Sequence, residues 1–306
     1  MQKNSLGKSL RVMGKDWQLY SLLVLPVLYY IIFKYGPMIG NIIAFRKYVP
    51  GGSWLGSSWV GLKYFKMFIT DQAFWNVFKN TIVISVSSLL FSFPIPIIFA
   101  LLLNEIRNVA FKKTIQTISY LPHFLSIVVV AGMVIDFLSP SVGFANQLVR
   151  LFTGHTIEFM QESKYFVPIY VISGIWQETG WGAILYLAAL TNINTELYEA
   201  AEIDGANRWK QTLHVTLPGI MPTIAILFIL NLGNLLNVGF EKVLLLYNPA
   251  IYDTSDVIST YLYRIAFSSN SFSYATAIGL FESVIGLVLI ILANKLTRKF
   301  AEVSLW

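Results

Sequence analysis

Cysteine and charged residues are both scarce in this sequence. None of the 306 residues is cysteine, which excludes disulfides, thiolate metal ligands and cysteine nucleophiles. Only 12% of the residues are charged, whereas 56% are hydrophobic, and the mean hydropathy is +0.63. A water-soluble domain of this length could not keep so apolar a composition in solution. The composition therefore predicts an integral membrane protein.

Histidine is scarce as well, and its three positions predict no metal site. His123 falls in an apolar run and His155 and His214 fall in loops, so no two of them share the spacing of metal ligands. Gly7-Lys8-Ser9 imitates the end of a phosphate-binding loop, but Gln2 stands where glycine is required. No activated nucleophile or acid-base pair is visible either. We expect this chain to bind no cofactor and to have no catalytic residue.

Six segments are apolar and long enough to cross a bilayer, which takes roughly 20 residues. The first is interrupted by Lys34, Gly36 and Pro37, so its outer boundary is soft. An even number of spans places both ends on one side, and Lys and Arg number 12 on the predicted cytoplasmic side against 8 outside, where Lys79 at the start of the second span is counted as outside. We expect an all-α protein with cytoplasmic tails at 1–16 and 294–306 around a transmembrane domain at 17–293. Its spans are about 17–43, 78–103, 115–138, 166–190, 222–247 and 274–293.

The polar stretch 191–221, between the fourth and fifth predicted spans, has readable local structure. Asn194 is a predicted N-cap, with Glu196 in the first turn near the positive end of the helix dipole. Asp204 and Gly205 predict a turn, because glycine accepts a positive φ without strain. A second short helix is predicted from about Asn207 to Pro218.

This stretch resembles the EAA loop of binding-protein-dependent ABC importer permeases, whose consensus is Glu-Ala-Ala, two residues, Asp-Gly-Ala, and later Leu-Pro. The resemblance implies the type I importer permease fold and a coupling helix that docks on an ATPase subunit. It also implies that Glu199 and Asp204 orient the loop and pair with the ATPase. The eight matching positions are Glu199, Ala200, Ala201, Asp204, Gly205, Ala206, Leu217 and Pro218.

Shorter stretches resemble the permeases that import oligosaccharides or polysaccharide fragments, such as the alginate and aldouronate systems. They include Tyr35-Gly36-Pro37-Met38, Tyr247-Asn248-Pro249-Ala250 and Ser304-Leu305-Trp306. The resemblance implies a bacterial plasma-membrane subunit that forms half of an alternating-access pathway. Its implied partners are a second related permease, two cytosolic ATPases that hold ATP and Mg, and an extracellular solute-binding protein.

Polar side chains inside the fifth predicted span are candidates for contact with the transported molecule, because such groups are costly in a bilayer. Thr223, Asn231, Asn234, Asn237 and Glu241 fall within an arc of about 120° on a continuous helix. Amides and a carboxylate suit sugar hydroxyls, which both donate and accept hydrogen bonds. The alternative is that the same amides hold one helix to another.

The fourth predicted span has a second group of candidates: Trp176, Gln177, Glu178 and Trp181. Flat aromatic faces can stack on the apolar faces of sugar rings. The alternative is that the two tryptophans belong to an aromatic belt at the membrane interface.

Two other classes of protein remain as alternatives to a permease. An ion-coupled secondary transporter or channel subunit would use an intramembrane carboxylate such as Glu178 or Glu241. Such folds often carry paired broken helices in two halves, and no second copy is visible in the sequence. A membrane enzyme or scaffold would need a reactive group that the sequence does not offer.

Overall fold

The computed structural model describes residues 17–300, and over this range the prediction of an all-helical chain is confirmed. The only extended pairing there is an isolated bridge between Arg46 and Trp59. The predicted tail at 1–16 and positions 301–306 lie outside the described residues. The described chain forms two compact units, one of residues 17–68 and 265–280 and one of residues 69–264 and 281–300.

Thirteen helices are labelled in the described range. A π turn within a helix, or a 3₁₀ turn at its end, is counted as part of that helix. They are α1 Trp17–Phe45, α2 Lys63–Thr70, α3 Gln72–Glu105, α4 Val109–Phe124, α5 Ile127–Leu138, α6 Phe144–Thr153, α7 Ser163–Thr191, α8 Thr195–Ile203, α9 Arg208–Gly233, α10 Phe240–Leu246, α11 Tyr252–Ser255, α12 Ile258–Ser268 and α13 Phe272–Phe300.

Four of the described helices, α1, α3, α9 and α13, are long and apolar enough to cross a membrane. A fifth is added if α4 and α5, which meet at a bend of 100°, form one broken span. The 29-residue α7 is long enough but carries Gln177 and Glu178 near its centre, and it is not among them. Six spans therefore remain a prediction.

The first predicted span, about 17–43, corresponds to one helix, although Lys34, Gly36 and Pro37 interrupt its apolar run. Helix α1 continues to Phe45 through a π turn at Ile31–Tyr35. The π turn ends two residues before Pro37, whose ring would otherwise clash with the carbonyl four residues earlier.

The third and fifth predicted spans are not continuous helices. Within 115–138, the chain leaves helical geometry at Leu125, and the Ser126 side chain then caps α5 by accepting a hydrogen bond from the Val129 N–H at 3.3 Å. Within 222–247, α9 ends at Gly233 and α10 begins at Phe240. Residues 234–239 therefore form a break, a name kept for them below.

Helix α7 lies at the centre of the second unit. One buried cluster joins it to α3 and α9 through Ala100, Ala183 and Ile220. Another joins it to α5, the break and α10 through Ala131, Phe166, Val238 and Val243. These clusters fix the walls of the space described next.

Asn80, Asp256 and Arg264 form a polar cluster in the second unit, which holds the segment that follows α10. The guanidinium of Arg264 donates to the buried carboxylate of Asp256, and this hydrogen bond raises the pKa of Arg264. The Asn80 side chain donates to the backbone carbonyls of Asp253, at 2.9 Å, and Asp256, at 3.1 Å. These bonds satisfy polar backbone in the region from α11 to α12.

Candidate coupling segment and transport cavity

The segment 191–221 folds locally as its sequence predicts up to residue 207. Asn194 caps α8 by accepting a hydrogen bond from the Glu196 N–H at 3.0 Å, which confirms the predicted N-cap. Gly205 has φ +73, which confirms the predicted turn. The Asn207 side chain then accepts from the Lys210 N–H at 2.9 Å and starts the next helix.

The prediction that this second helix ends at Pro218 is wrong. Helix α9 runs without interruption over 26 residues, from Arg208 to Gly233. A π turn at Thr212–Thr216 ends two residues before Pro218, which occupies the first turn of the following α-helical stretch. A widened turn accommodates the proline ring within the helix.

The eight motif residues differ in exposure. Glu199, Ala200, Asp204, Gly205 and Pro218 are exposed. In contrast, Ala201, Ala206 and Leu217 are half-buried.

Two hydrogen bonds fasten α8 and its turn to α9. The hydroxyls of Tyr198 and Thr216 lie 3.0 Å apart, and the Gln211 side chain donates to the Ala206 carbonyl at 3.2 Å. The outer surface also presents two large side chains, since Ile203 is 87% exposed and Trp209 is 69% exposed. The arrangement is an exposed, partly apolar surface joined firmly to one long helix.

A cavity of about 820 Å³ lies within the second unit, between α3, α7, α9, the break and α10. Six of the eight predicted pathway residues line it, whereas Trp176 and Trp181 do not. Contact of these residues with a transported molecule remains a prediction. The six are Gln177, Glu178, Asn231, Asn234, Asn237 and Glu241.

The expected polar stripe on a continuous fifth span is wrong, because the helix ends at Gly233. The break instead brings Asn234, Asn237 and the start of α10 to the same cavity as Asn231. Asn231 donates to the Leu227 carbonyl at 2.8 Å within α9, and Asn234, at the start of the break, donates back to the Leu230 carbonyl of α9 at 3.1 Å. Within residues 17–300, none of these three amides bonds to another helix, so the alternative of helix-to-helix bonding has no support here.

Trp181 is engaged by a neighbouring ring. It stacks on His123 with ring centroids 4.4 Å apart and ring planes at 3°. The Nδ1 of His123 lies 2.9 Å from a carboxylate oxygen of Glu178. Together with a 3.4 Å hydrogen bond from Gln177 to the Leu125 carbonyl, these contacts hold α7 against the bend between α4 and α5.

Sequence reasoning missed several polar residues of the cavity. Lys242 lies in the apolar run of α10, and the rule that singled out Glu241 applies to it equally. Ser85, Ser88 and Ser92 recur at helical spacing on α3, which was a usable signal. The Ser85 hydroxyl is buried and has no hydrogen-bond partner among the described residues.

No group of three or more histidine, aspartate or glutamate side chains that could hold a metal ion occurs over the described range. The chemistry of the cavity is accordingly that of hydrogen-bonding amides and hydroxyls with a few charges. It suits binding and passage of a polar solute.

An apolar helical chain whose cavity combines apolar walls with amides, hydroxyls and a few charges, and whose exposed helical segment leads to that cavity, fits a membrane transport subunit. The chain belongs to the family described as binding-protein-dependent transport system inner membrane component, whose model matches residues 92–302. The resemblance seen in the 191–221 stretch is thereby confirmed at the level of the family. The chain is the permease subunit of an ABC importer, a transport component and not an enzyme.

Two relatives from Bacillus subtilis (strain 168) are similar over nearly their whole length. Protein LplB is 44% identical over 292 residues, which cover 95% of this chain and 92% of the relative. The polygalacturonan/rhamnogalacturonan transport system permease protein YteP is 43% identical over 286 residues, 93% of this chain and 89% of the relative.

Solved structures share the fold. A chain from a bacterial ABC transporter involved in the import of the acidic polysaccharide alginate matches with a TM-score of 0.88 and 42% identity, covering 96% of this chain and 99% of that chain. A chain of a bacterial alginate ABC transporter in complex with an alginate pentasaccharide-bound periplasmic protein matches with a TM-score of 0.89, at the same identity and coverage. The expected type I importer permease fold is therefore confirmed.

Proposed function

We propose that this chain forms one half of the translocation pathway of an importer for oligosaccharides or polysaccharide fragments. A second related permease supplies the other half, and a solute-binding protein delivers the cargo from outside. Two cytosolic ATPases, which hold ATP and Mg, drive alternating access. Both chain termini and the segment 191–221 lie in the cytoplasm, where the eight motif residues contact an ATPase.

The observation that carries this proposal is the continuity of α9. The helix starts three residues after Gly205 and runs for 26 residues to the cavity. At 1.5 Å per residue it is about 39 Å long, enough to cross the hydrocarbon layer of a membrane. A displacement of the exposed segment is therefore delivered to Asn231 and to the break at the far end of the same helix.

The sugar class is supported by the cavity lining and by the relatives. Amides and hydroxyls of the lining can donate to and accept from sugar hydroxyls. Of the relatives, YteP is a permease of a polygalacturonan/rhamnogalacturonan transport system, and the transporter of known structure is involved in the import of alginate. We extend the general class, oligosaccharides and polysaccharide fragments, to this chain.

Gly205→Asp tests the proposed coupling. An added Cβ at Gly205 meets no atom of the chain within 4 Å, so an effect beyond backbone strain reports a partner surface. We expect uptake by the reconstituted importer to fall by at least about tenfold, the effect of losing ~1.4 kcal/mol of docking free energy, while ATP hydrolysis continues. The measurement is ATP hydrolysis and oligosaccharide uptake in the same proteoliposomes.

The chain offers a matched control for this variant. Gly154 also follows a helix, has φ +78 and has no atom within 4 Å of an added Cβ. Gly154→Asp therefore introduces the same backbone strain on the side predicted to be external, and we expect normal coupling. Equal loss in both variants, or normal uptake with Gly205→Asp, would count against the proposal.

A further inference from the structure

One positively charged side chain lines the cavity, and it interacts electrostatically with Glu178 but forms no salt bridge among the described residues. Lys242 is only 8% exposed and is the only lysine or arginine among the described lining residues. We propose that its ammonium binds a carboxylate of an anionic oligosaccharide and so makes the cavity selective for uronate-containing cargo. This inference rests on the proposed function and assigns a charge-recognition site within it.

The hydrogen bonds of Lys242 leave donor capacity unused. Its Nζ donates to the Tyr170 carbonyl at 2.9 Å and lies 4.6 Å from the centre of the Tyr170 ring. No carboxylate oxygen of the described residues comes within 4.0 Å of it. An ammonium has three N–H donors, and one carbonyl and one ring face do not compensate fully for a buried charge.

Gly174 allows the ammonium to lie close to α7. It is one turn along α7 from Tyr170 and also lines the cavity, and a Cβ there would stand 3.3 Å from the Lys242 Nζ. A larger residue at this position would crowd the charge. Asn231, Asn234 and Asn237 line the same space and can bind the hydroxyls of the sugar whose carboxylate meets Lys242.

Two acidic residues also line the cavity, and their negative charge opposes the binding of an anionic sugar. The Glu178 carboxylate is engaged by His123 at 2.9 Å. Glu241 is the neighbour of Lys242 on α10, and adjacent helical residues point about 100° apart. If these carboxylates dominated the field in the cavity, an anionic sugar would bind worse than its neutral counterpart, which the experiment below would detect.

Lys242 also joins α10 to α7 through the Tyr170 carbonyl, which is a purely structural role. The two roles make different predictions. A structural role affects all cargo equally, whereas a recognition role affects acidic cargo alone. The test therefore compares two sugars that differ only in charge.

The experiment measures binding of trigalacturonate and of its carboxyl-reduced, neutral form to the complete importer in lipid nanodiscs without the binding protein. At low salt, we expect the wild type to bind the acidic sugar about tenfold more tightly, and we expect Lys242→Gln to remove this preference without weakening the neutral sugar. Lys242→Arg should retain the preference. Lys113→Gln, which removes an exposed lysine of α4 outside the cavity, is the matched control and should change neither affinity.

Several results would overturn the inference. The wild type could bind both sugars equally, bind the neutral sugar more tightly, or bind neither. The Lys242→Gln variant could bind both sugars more weakly by the same factor. If Lys242→Gln does not assemble, the inference is tested by whether the wild type and Lys242→Arg both bind the acidic sugar more tightly than the neutral one. Continued ATP-dependent uptake of other oligosaccharides in these cases would leave the proposed function standing, whereas loss of uptake for every oligosaccharide would reject both.

Discussion

Single residues decide how closely the helices of the second unit approach each other. Gly180 of α7 faces the backbone of Ser119 in α4 so closely that an added Cβ would overlap its carbonyl group. Gly132 of α5 has no atom within 4 Å of an added Cβ. Both are helical glycines, but only the first is required by packing.

This contrast gives a stability prediction. Gly180→Ala must separate α4 from α7, and overpacking of this kind costs about 1–3 kcal/mol or more. Gly132→Ala should be neutral or stabilising by up to ~1 kcal/mol, because alanine favours the helix. Thermal unfolding of the detergent-solubilised assembly measures both. An equal Tm for the two variants would show that the close approach at Gly180 is not required.

Sequence reasoning at single positions succeeded where the chemistry is local. The cap at Asn194 and the positive φ at Gly205 follow from side-chain and backbone preferences alone. Sequence reasoning missed Lys242, because a single lysine hardly changes the hydropathy of a long apolar run. The packing of Gly180 on Ser119 depends on tertiary structure and could not be predicted.

Broken helices shape the cavity, and they are what the sequence pattern concealed. Apolar runs across 115–138 and 222–247 favoured continuous spans, because hydropathy measures lipid compatibility and not helix continuity. The structure breaks both runs, and the break at 234–239 contributes Asn234, Asn237 and Gly239 to the cavity wall. Irregular backbone at membrane depth is tolerated where it lines such a space.

The contact between the break and α7 is a second target for mutation. The Tyr170 hydroxyl accepts a hydrogen bond from the Gly239 N–H at 3.2 Å. Tyr170→Phe should lower stability by about 1–2 kcal/mol, because the N–H loses its partner, and it should reduce uptake. Tyr20→Phe, at an exposed ring of α1 whose hydroxyl has no hydrogen bond in the described structure, is the control for Tm and uptake. Unchanged values for Tyr170→Phe would show that the hydroxyl is dispensable.

For the molecule as a whole, the open question is its orientation in the membrane. The family establishes an inner-membrane component, but the cytoplasmic location of the termini and of 191–221 is our proposal. The absence of cysteine makes this testable with single substitutions, since no native thiol reacts. Ile203 in α8 and Phe152 in α6 suit the purpose because they are 87% and 88% exposed.

We expect a membrane-impermeant maleimide to label Phe152→Cys in cells whose outer surface is open to the reagent, and not Ile203→Cys. After the membrane is permeabilised, both should react, because both side chains are exposed. Mass shift of the purified chain measures the labelling. Labelling of Ile203→Cys from outside would reverse the proposed orientation and remove the ATPase-docking role of the 191–221 segment.

The break at 234–239 has a consequence for how such importers diversify. Asn234 and Asn237 lie beyond the end of α9 at Gly233, so replacing their side chains does not alter the helix itself. The cavity lining at this short connection can therefore change while α9 and its exposed end at Arg208 stay the same.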